Sequence, residues 1–222
     1  MSSAFAARPS PVLPAQIPAA ERARLQEIAE GASVSAQATG EPFLARPDVF
    51  EFLLDHPEFA THVTRALKLA RYRIWRGPDG GLWLDDGWGV IGQFSVVYAS
   101  SGTRVVSAHG QYQSGLLPSI RGKAVVVIDY GLRPAADRRS LVSPAVTGFV
   151  KLDSKIIALA GMLVGSVATA KAEKEAKSFV RLFARVSRAI EDNPARVREI
   201  LRKRPDVPAA DLAAFGRLLD LR

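Results

Sequence analysis

The 222-residue sequence predicts an α+β fold in which a meander of antiparallel strands is followed by a long C-terminal helix. Residues 72–152 contain short segments rich in Val, Ile, Tyr and Trp, separated by turn residues, which is typical of antiparallel strands. No helix-length periodic segment interrupts them, so βαβ units and a parallel sheet are disfavoured. Residues 154–191 then show helical periodicity. Within them Phe179, Phe183 and Val186 recur at steps of four and three, as on a buried helix face.

The first 46 residues are predicted to be a disordered arm that contains one short helix. Their first 20 residues are rich in Ala, Pro and Ser, and they lack the basic and apolar regions of a signal peptide. Residues 21–30 carry apolar positions at helical spacing among charges, which predicts the helix. Residues 31–40 are small and polar and are predicted to be a linker. The sequence leaves the localisation open: the chain by itself would be cytoplasmic or peripheral to a membrane, and an upstream signal sequence would make it periplasmic.

Two helical segments, 47–54 and 55–67, are predicted before the strands. In the second, Asp55 precedes Pro57 and Glu58, a pattern in which Asp55 caps free backbone N–H groups and Glu58 completes a capping box. Proline is tolerated in the first turn of a helix. The apolar residues that follow share one helical face, so this helix is expected to pack against another element.

Six strands are predicted from alternation and from the turns between them: 72–76, 82–84, 88–99, 103–112, 123–130 and 145–152. Alternation along the third strand places one set of side chains on the inward face: Trp88, Val90, Phe94, Val96 and Tyr98. Gly89, Gln93 and Ser95 then lie on the opposite face.

The long helix is predicted over residues 154–191, with Asp153 as its cap and a break near Gly161 or Gly165. Asn193 and Pro194 end it. The chain is therefore divided into a disordered arm, a central domain and a basic helical tail: 1–46, 47–193 and 194–222.

Residues 87–92 (GWGVIG) have the G-x-G-x-x-G spacing of a phosphate-binding loop. In a dinucleotide fold this motif opens a helix and is followed about 20 residues later by an acidic residue. Here it leads into a predicted strand, and no such residue follows; the motifs of a kinase are also missing. Nucleotide binding is therefore disfavoured. We predict instead a bent strand in which Gly92 makes room for a ligand or for the long helix.

The composition excludes several kinds of site. There is no cysteine, so disulfides, thiolate metal sites and cysteine nucleophiles are excluded. His56, His62 and His109 lack the spacing of metal ligands, and no nucleophile motif is present, so neither a metal nor a cofactor is predicted. A net charge of +8 and a pI near 10.1 favour contact with something anionic or reflect compositional bias.

The order of elements resembles the START-like, or SRPBCC, superfamily with its helix-grip fold. The resemblance covers residues 47–193, and the segments GQYQSGLLPSIRGKAVVVIDY and TGFVKLDSKIIALAGML look similar to that superfamily's central strands and final strand-to-helix junction. It implies a curved antiparallel sheet gripping the C-terminal helix, with additional helices at both ends. It also implies a hydrophobic cavity that holds lipids, sterols, quinones or polyketides. No catalytic residue is implied, because the superfamily shares none.

On this basis we predict a non-enzymatic protein that binds or carries a hydrophobic small molecule. The predicted cavity residues come from the strands and from the uncharged segment 156–170: Trp88, Val90, Gly92, Phe94, Val96, Tyr98, Ile156, Ala160 and Leu163. Either His109 or Tyr112 is expected to orient the ligand. An alternative is an enzyme in the same cavity that uses His109 or Asp129 as acid or base.

A third interpretation is a membrane-surface module that works through a basic stripe on the long helix. Six cations recur there every three or four residues: Lys171, Lys174, Lys177, Arg181, Arg185 and Arg188. Such a stripe suits anionic lipid headgroups or phosphates. RNA is disfavoured, because no aromatic residues for base stacking cluster with these cations.

Overall fold

A computed structural model describes residues 11–113 and 119–221, except for the side chains of residues 154–168 and of Lys171. The helices are α1 (Ala19–Glu30), α2 (Pro47–Asp55), α3 (Pro57–Ala66), α4 (Ser154–Asp192), α5 (Pro194–Arg202) and α6 (Ala209–Leu218). The strands are β1 (Val34–Thr39), β2 (Phe43–Ala45), β3 (Arg73–Arg76), β4 (Leu82–Asp85), β5 (Val90–Ser100), β6 (Thr103–Tyr112), β7 (Ile120–Pro134) and β8 (Ser140–Leu152). The predicted α+β class is confirmed.

The eight strands of the described chain form one curved antiparallel sheet in the order β1-β8-β7-β6-β5-β4-β3, and β2 also pairs with β8. From β3 to β8, neighbours in the sheet are neighbours in the chain, so the predicted meander is confirmed. β1 and β2 pair with successive halves of β8 and extend the sheet beyond the meander.

The linker predicted over residues 31–40 is wrong, because residues 34–39 form β1. Val34, Ala36 and Ala38 are buried, and the positions between them are less so. This is the period of a half-buried strand, but alanine gives a weak strand signal in a sequence. Pairing with β8 satisfies the backbone of this segment, so part of the predicted arm is folded into the sheet.

Different helices cover the two faces of the sheet. On one face, Leu25 of α1 packs in a cluster with Val125 and Val127 of β7. On the other, Val180 of α4 packs in a cluster with Ile128 of β7. Because successive side chains of a strand point to opposite sides, β7 contributes to both clusters. We call these two sides the α1 face and the α4 face.

The helix α4 continues without a break for 39 residues, so the interruption predicted at Gly161 or Gly165 is wrong. One glycine in a helix interior costs only about 1 kcal/mol relative to alanine, which a helix of this length tolerates. Asp153 does stand at the N-cap position, but its side chain makes no capping hydrogen bond.

A second hydrophobic core joins α2 and α3 to α5, α6 and the C-terminal half of α4. Its buried members are Val49, Phe59, Val63, Leu182, Val186, Ile190, Val197, Leu201, Phe215 and Leu219. Phe59, Leu201 and Phe215 are fully buried. The sequence predicts helices after residue 194 but not this packing, by which α5 and α6 cover the face of α3.

The capping role predicted for Asp55 is wrong. His56 is the residue at the N-cap of α3, and no side chain caps this helix. The carboxylate of Asp55 instead accepts hydrogen bonds from Nε and Nη2 of Arg104, at 2.7 and 3.1 Å. Arg104 is only 4% exposed, and a buried guanidinium requires such a partner more than an exposed helix end requires a cap.

His62 of α3 lies half-buried against the connection between α5 and α6, with Nδ1 3.4 Å from Oδ2 of Asp206. Burial lowers the pKa of His62 below its ordinary value of 6.5, although the Asp206 carboxylate opposes this effect. The unfolded chain therefore binds the proton more readily than the folded chain.

We expect the free energy of unfolding to be highest above about pH 6.5 and to fall as the pH falls below it. Urea unfolding on both sides of this pH, with His62→Gln as the comparison, measures the effect. The variant should lose part of the dependence on pH. An unchanged dependence would show that His62 is not its source.

Candidate functional site

The register of the sheet shows which residues share the α4 face with Ile128. Directly paired residues of antiparallel strands point to the same side of a sheet. Val126, two residues before Ile128, pairs with Val106, and Val106 pairs with Val96. These three valines form the first of four rows that cross the sheet on the α4 face.

The other rows follow at steps of two residues toward the turn between β4 and β5. The second row is Ala124, Ala108, Phe94 and Leu82; the third is Gly122, Gly110, Gly92 and Leu84; the fourth is Ile120, Tyr112 and Val90. The structure therefore brings five of the predicted site residues to one face of the sheet: Val90, Gly92, Phe94, Val96 and Tyr112.

Three glycines in direct register, Gly92, Gly110 and Gly122, form most of the third row. Since they carry no side chains, we infer a shallow groove on the α4 face here, crossing β5, β6 and β7. Its two walls are the second and fourth rows. We call this feature the glycine groove. Gly110 and Gly122 are not among the predicted site residues. The signal that could have indicated them is a glycine in or directly before each of three successive predicted strands, at positions that pair with each other when the strands form a meander.

Gly92 is required by the close approach of a neighbouring strand. A Cβ atom at this position would lie 2.6 Å from the carbonyl oxygen of His109 and 3.0 Å from Cα of Gly110. A Cβ atom at Gly110 would lie 2.6 Å from the carbonyl oxygen of Ile91. The backbones of β5 and β6 thus approach too closely for a side chain, as glycines permit in curved sheets. The contact that excludes a side chain is with β6, rather than with the predicted ligand or helix.

The first half of the G-x-G-x-x-G segment, residues 87–89, lies in the tight turn between β4 and β5, and the second half begins β5. The carboxylate of Asp85 accepts a hydrogen bond from the N–H of Gly87 at 2.8 Å. Asp86 accepts bonds from the N–H groups of Trp88 and of the first residue of β5, at 2.7 and 2.9 Å. Three of the backbone donors that a phosphate loop would use are therefore occupied by side chains of the same turn.

Tyr98 lies on the α1 face, so its predicted inward position is wrong. The pairing of β5 with β6 shifts between Val96 and Tyr98, which inserts one extra residue into β5. Such a bulge reverses the sides to which the following residues point. Tyr98 pairs with Val105 and packs near the cluster of α1.

Trp88 is 66% exposed, which disagrees with the prediction that it lines an enclosed space. It lies in the turn before β5, and alternation along a strand does not determine its direction there. The guanidinium of Arg71 lies 5.4 Å from the centre of its ring, in a cation–π contact.

His109 and Asp129 lie on the α1 side of the sheet, outside the glycine groove. His109 pairs with Gln93, one residue away from the groove rows, and it is exposed. Asp129 is also exposed and accepts a hydrogen bond from Oγ1 of Thr103 at 2.8 Å. The interpretation of either residue as an acid or base of the predicted cavity is therefore not supported.

The side chains of Ile156, Ala160 and Leu163 lie outside the described part of the chain. An open depression of about 480 Å³ lies elsewhere, against α1, and is lined by Pro11, Leu13, Ala19, Arg22, Ala23 and Gln26. It shares no residue with the predicted site.

A buried polar cluster links α2 to the β5–β6 end of the sheet. Arg104 donates to Asp55, as described above. From Nη1 it also donates to the hydroxyl oxygen of Tyr130 at 3.0 Å and to the carbonyl oxygen of Ser100. The Tyr130 hydroxyl donates to Oε1 of Glu51 at 2.9 Å. Burial raises the pKa of Tyr130, so the phenol stays protonated and keeps this donor. All the polar groups of the cluster are satisfied within it, as expected of a structural network.

The basic stripe lies on the outer side of α4. Lys174, Lys177, Arg181, Arg185 and Arg188 are all exposed, whereas the side chain of Lys171 lies outside the described part. Among the described residues, no group of three or more His, Asp or Glu side chains could hold a metal ion. In the same part of the chain, no helix is long and apolar enough to cross a membrane.

No family model and no curated protein matches the chain. Among solved structures, a hypothetical protein from Helicobacter pylori is 12% identical with a TM-score of 0.40, over 69% of this chain and 86% of that one. A conserved protein from Geobacillus kaustophilus is 14% identical with a TM-score of 0.43, over 70% and 97%. Norcoclaurine synthase from Thalictrum flavum, in complex with dopamine and hydroxybenzaldehyde, is 17% identical with a TM-score of 0.32, over 70% and 91%. Likenesses this distant carry no conclusion about function; the arrangement of a curved sheet with one long C-terminal helix is helix-grip-like.

Proposed function

We propose that this protein binds a hydrophobic small molecule in the glycine groove. The observation that carries the proposal is the chemistry of the groove: its floor and walls contain no charged residue. Ligand pockets are mostly apolar, with a few polar groups that fix orientation. The groove meets this description in the part of the chain that the structure describes.

The exposure of the α4 face supports the same proposal. The described residues of α4 that pack on the sheet, such as Val180 and Phe183, belong to clusters with β7 and β8. At the β5 end of the first row, away from these clusters, Val96 remains 36% exposed. Phe94, which precedes it by two residues in the second row, is half-buried. These partly exposed apolar side chains adjoin the glycine groove and are available to contact a ligand.

Tyr112 is the only residue of the two walls with a polar side chain, and we propose that it orients the polar end of the ligand. Ile156, Ala160 and Leu163 remain predicted contributors from α4, because the segment 156–170 is uncharged. An enzyme in the same groove is supported less well, since His109 and Asp129 lie outside it.

Filling the groove tests the proposal. Ala108 lies in the wall beside Phe94, and Ala108→Leu would occupy the groove with a larger side chain. His109→Leu adds a leucine one residue away on the opposite, exposed face and is the matched control. We expect Ala108→Leu to weaken binding of a fluorescent fatty acid at least about tenfold, a change of about 1.4 kcal/mol, and His109→Leu to leave it unchanged.

Thermal unfolding of both variants establishes that they fold. Equal affinity of the two folded variants, or the absence of binding to the unsubstituted chain by fatty acid, sterol and quinone probes alike, would contradict the proposal.

A further inference from the structure

Five cations form a straight line along the outer side of α4: Lys174, Lys177, Arg181, Arg185 and Arg188. Their spacings of three and four residues keep them within a sector of about 80° around the helix axis, and they extend over about 21 Å. The opposite side of the same helix segment is buried, with Val180, Val186 and Ile190 in the hydrophobic cores. We call these five residues the α4 stripe.

None of the five makes a hydrogen bond or ion pair with any described residue. Glu173 and Glu175 lie about 100° to either side of Lys174 around the helix, since each residue turns it by that angle. Glu191, at the C-terminal end of α4, is paired with Arg46 at 3.2 Å.

Two further carboxylates lie close to the α4 stripe. Glu173 precedes Lys177 by four residues and Asp192 follows Arg188 by four, so both carboxylates adjoin the stripe, although neither forms an ion pair with it. The stripe therefore presents five positive charges that these two carboxylates only partly offset.

We propose that the α4 stripe docks the protein on an anionic lipid surface. Each Lys or Arg near such a surface strengthens the electrostatic attraction between the protein and the lipid. Cations aligned on one side of a helix can contact a flat surface simultaneously. The uncharged segment 156–170 precedes the stripe in the same helix and adds no negative charge that would oppose contact with such a surface.

A nucleic acid fits this surface less well. Proteins that bind single strands combine cations with exposed aromatic rings for stacking. The aromatic residues of this part of α4, Phe179 and Phe183, pack toward the sheet, in clusters with Ile128 and Val142. The stripe offers charge without a stacking surface.

Vesicle binding of the full chain tests the inference. Sedimentation with vesicles of phosphatidylcholine alone and of phosphatidylcholine with phosphatidylglycerol measures the partition constant. The stripe variant is Lys177→Gln, Arg181→Gln, Arg185→Gln. The control is Arg121→Gln, Lys123→Gln, Arg133→Gln, which removes three exposed cations of β7 and gives the same net charge.

We expect binding to the anionic vesicles only, reduced about 100-fold in the stripe variant and no more than a few-fold in the control. All the substituted side chains are exposed and make no hydrogen bond or ion pair with a described residue, although Lys123 interacts electrostatically with Glu27. Far-UV circular dichroism confirms that both variants fold. Equal losses in the two variants, binding that ignores the anionic lipid, or tighter binding to a single-stranded oligonucleotide at the same salt concentration would each overturn the inference. The result does not depend on whether the glycine groove holds a ligand.

Discussion

Replacing Gly92 by alanine should destabilise the fold by about 3 kcal/mol, near the upper end of the cost of overpacking. The added methyl group would lie 2.6 Å from the carbonyl oxygen of His109. Since that neighbour is backbone, it cannot rotate away as a side chain could, and β5 must separate from β6. For a chain of this size the loss corresponds to a fall in Tm of about 6–12 °C.

Gly148→Ala is the matched control, because Gly148 also lies in a central strand, paired with Val126 of the α4 face. No described atom lies within 4 Å of the position of its Cβ. We expect a change of no more than about 0.5 kcal/mol, or a slight stabilisation from the loss of unfolded-chain entropy. Urea unfolding measures both variants. Equal effects would show that the contact between β5 and β6 is not what excludes a side chain at residue 92.

Removing the carboxylate of Asp55 should cost about 2–3 kcal/mol of unfolding free energy. The side chain of Arg104 is 5% exposed, so its charge would remain buried with fewer acceptors. Asp55 itself is 44% exposed, which keeps the expected loss at the low end for a buried pair. The loss should shrink in the double variant Asp55→Ala, Arg104→Met, because no buried charge then remains.

The ion pair of Arg138 and Asp220 provides the comparison, at a similar distance of 2.8 Å but with both side chains about two-thirds exposed. Asp220→Ala should cost less than about 1 kcal/mol, as exposed pairs do. Denaturant unfolding of the three variants distinguishes the effects. Equal losses for Asp55→Ala and Asp220→Ala would contradict a structural role for the buried cluster.

Local patterns predicted most of the fold. Periodicity indicated α4 and the meander from β3 to β8. Buried and less buried positions alternate in β7 and β8, and the C-terminal half of α4 buries one face. Periodicity missed β1, because the buried positions of this strand are mostly alanine. The pairing of β1 with β8 also depends on residues more than 100 positions away in the chain. Similarly, Asp55 resembles a helix cap in the sequence, and only the folded chain brings Arg104 to it.

The candidate site shows the same limit. Alternation placed Val90, Phe94 and Val96 on one face, as the strand register also does, but it could not indicate the bulge that sends Tyr98 to the other side. It identified Gly92 as unusual, but not its alignment with Gly110 and Gly122, which depends on strand register. Register is set by the whole sheet, so the groove is visible only in three dimensions.

Native mass spectrometry of the full chain after gentle extraction tests the central claim, that the glycine groove binds a hydrophobic small molecule. We expect a non-covalent adduct on the unsubstituted chain, extractable into organic solvent, and a much smaller fraction of adduct on Ala108→Leu than on His109→Leu. A chain that carries no adduct and acquires none on incubation with fatty acids, sterols or quinones, or an adduct that persists equally in both variants, would contradict the claim.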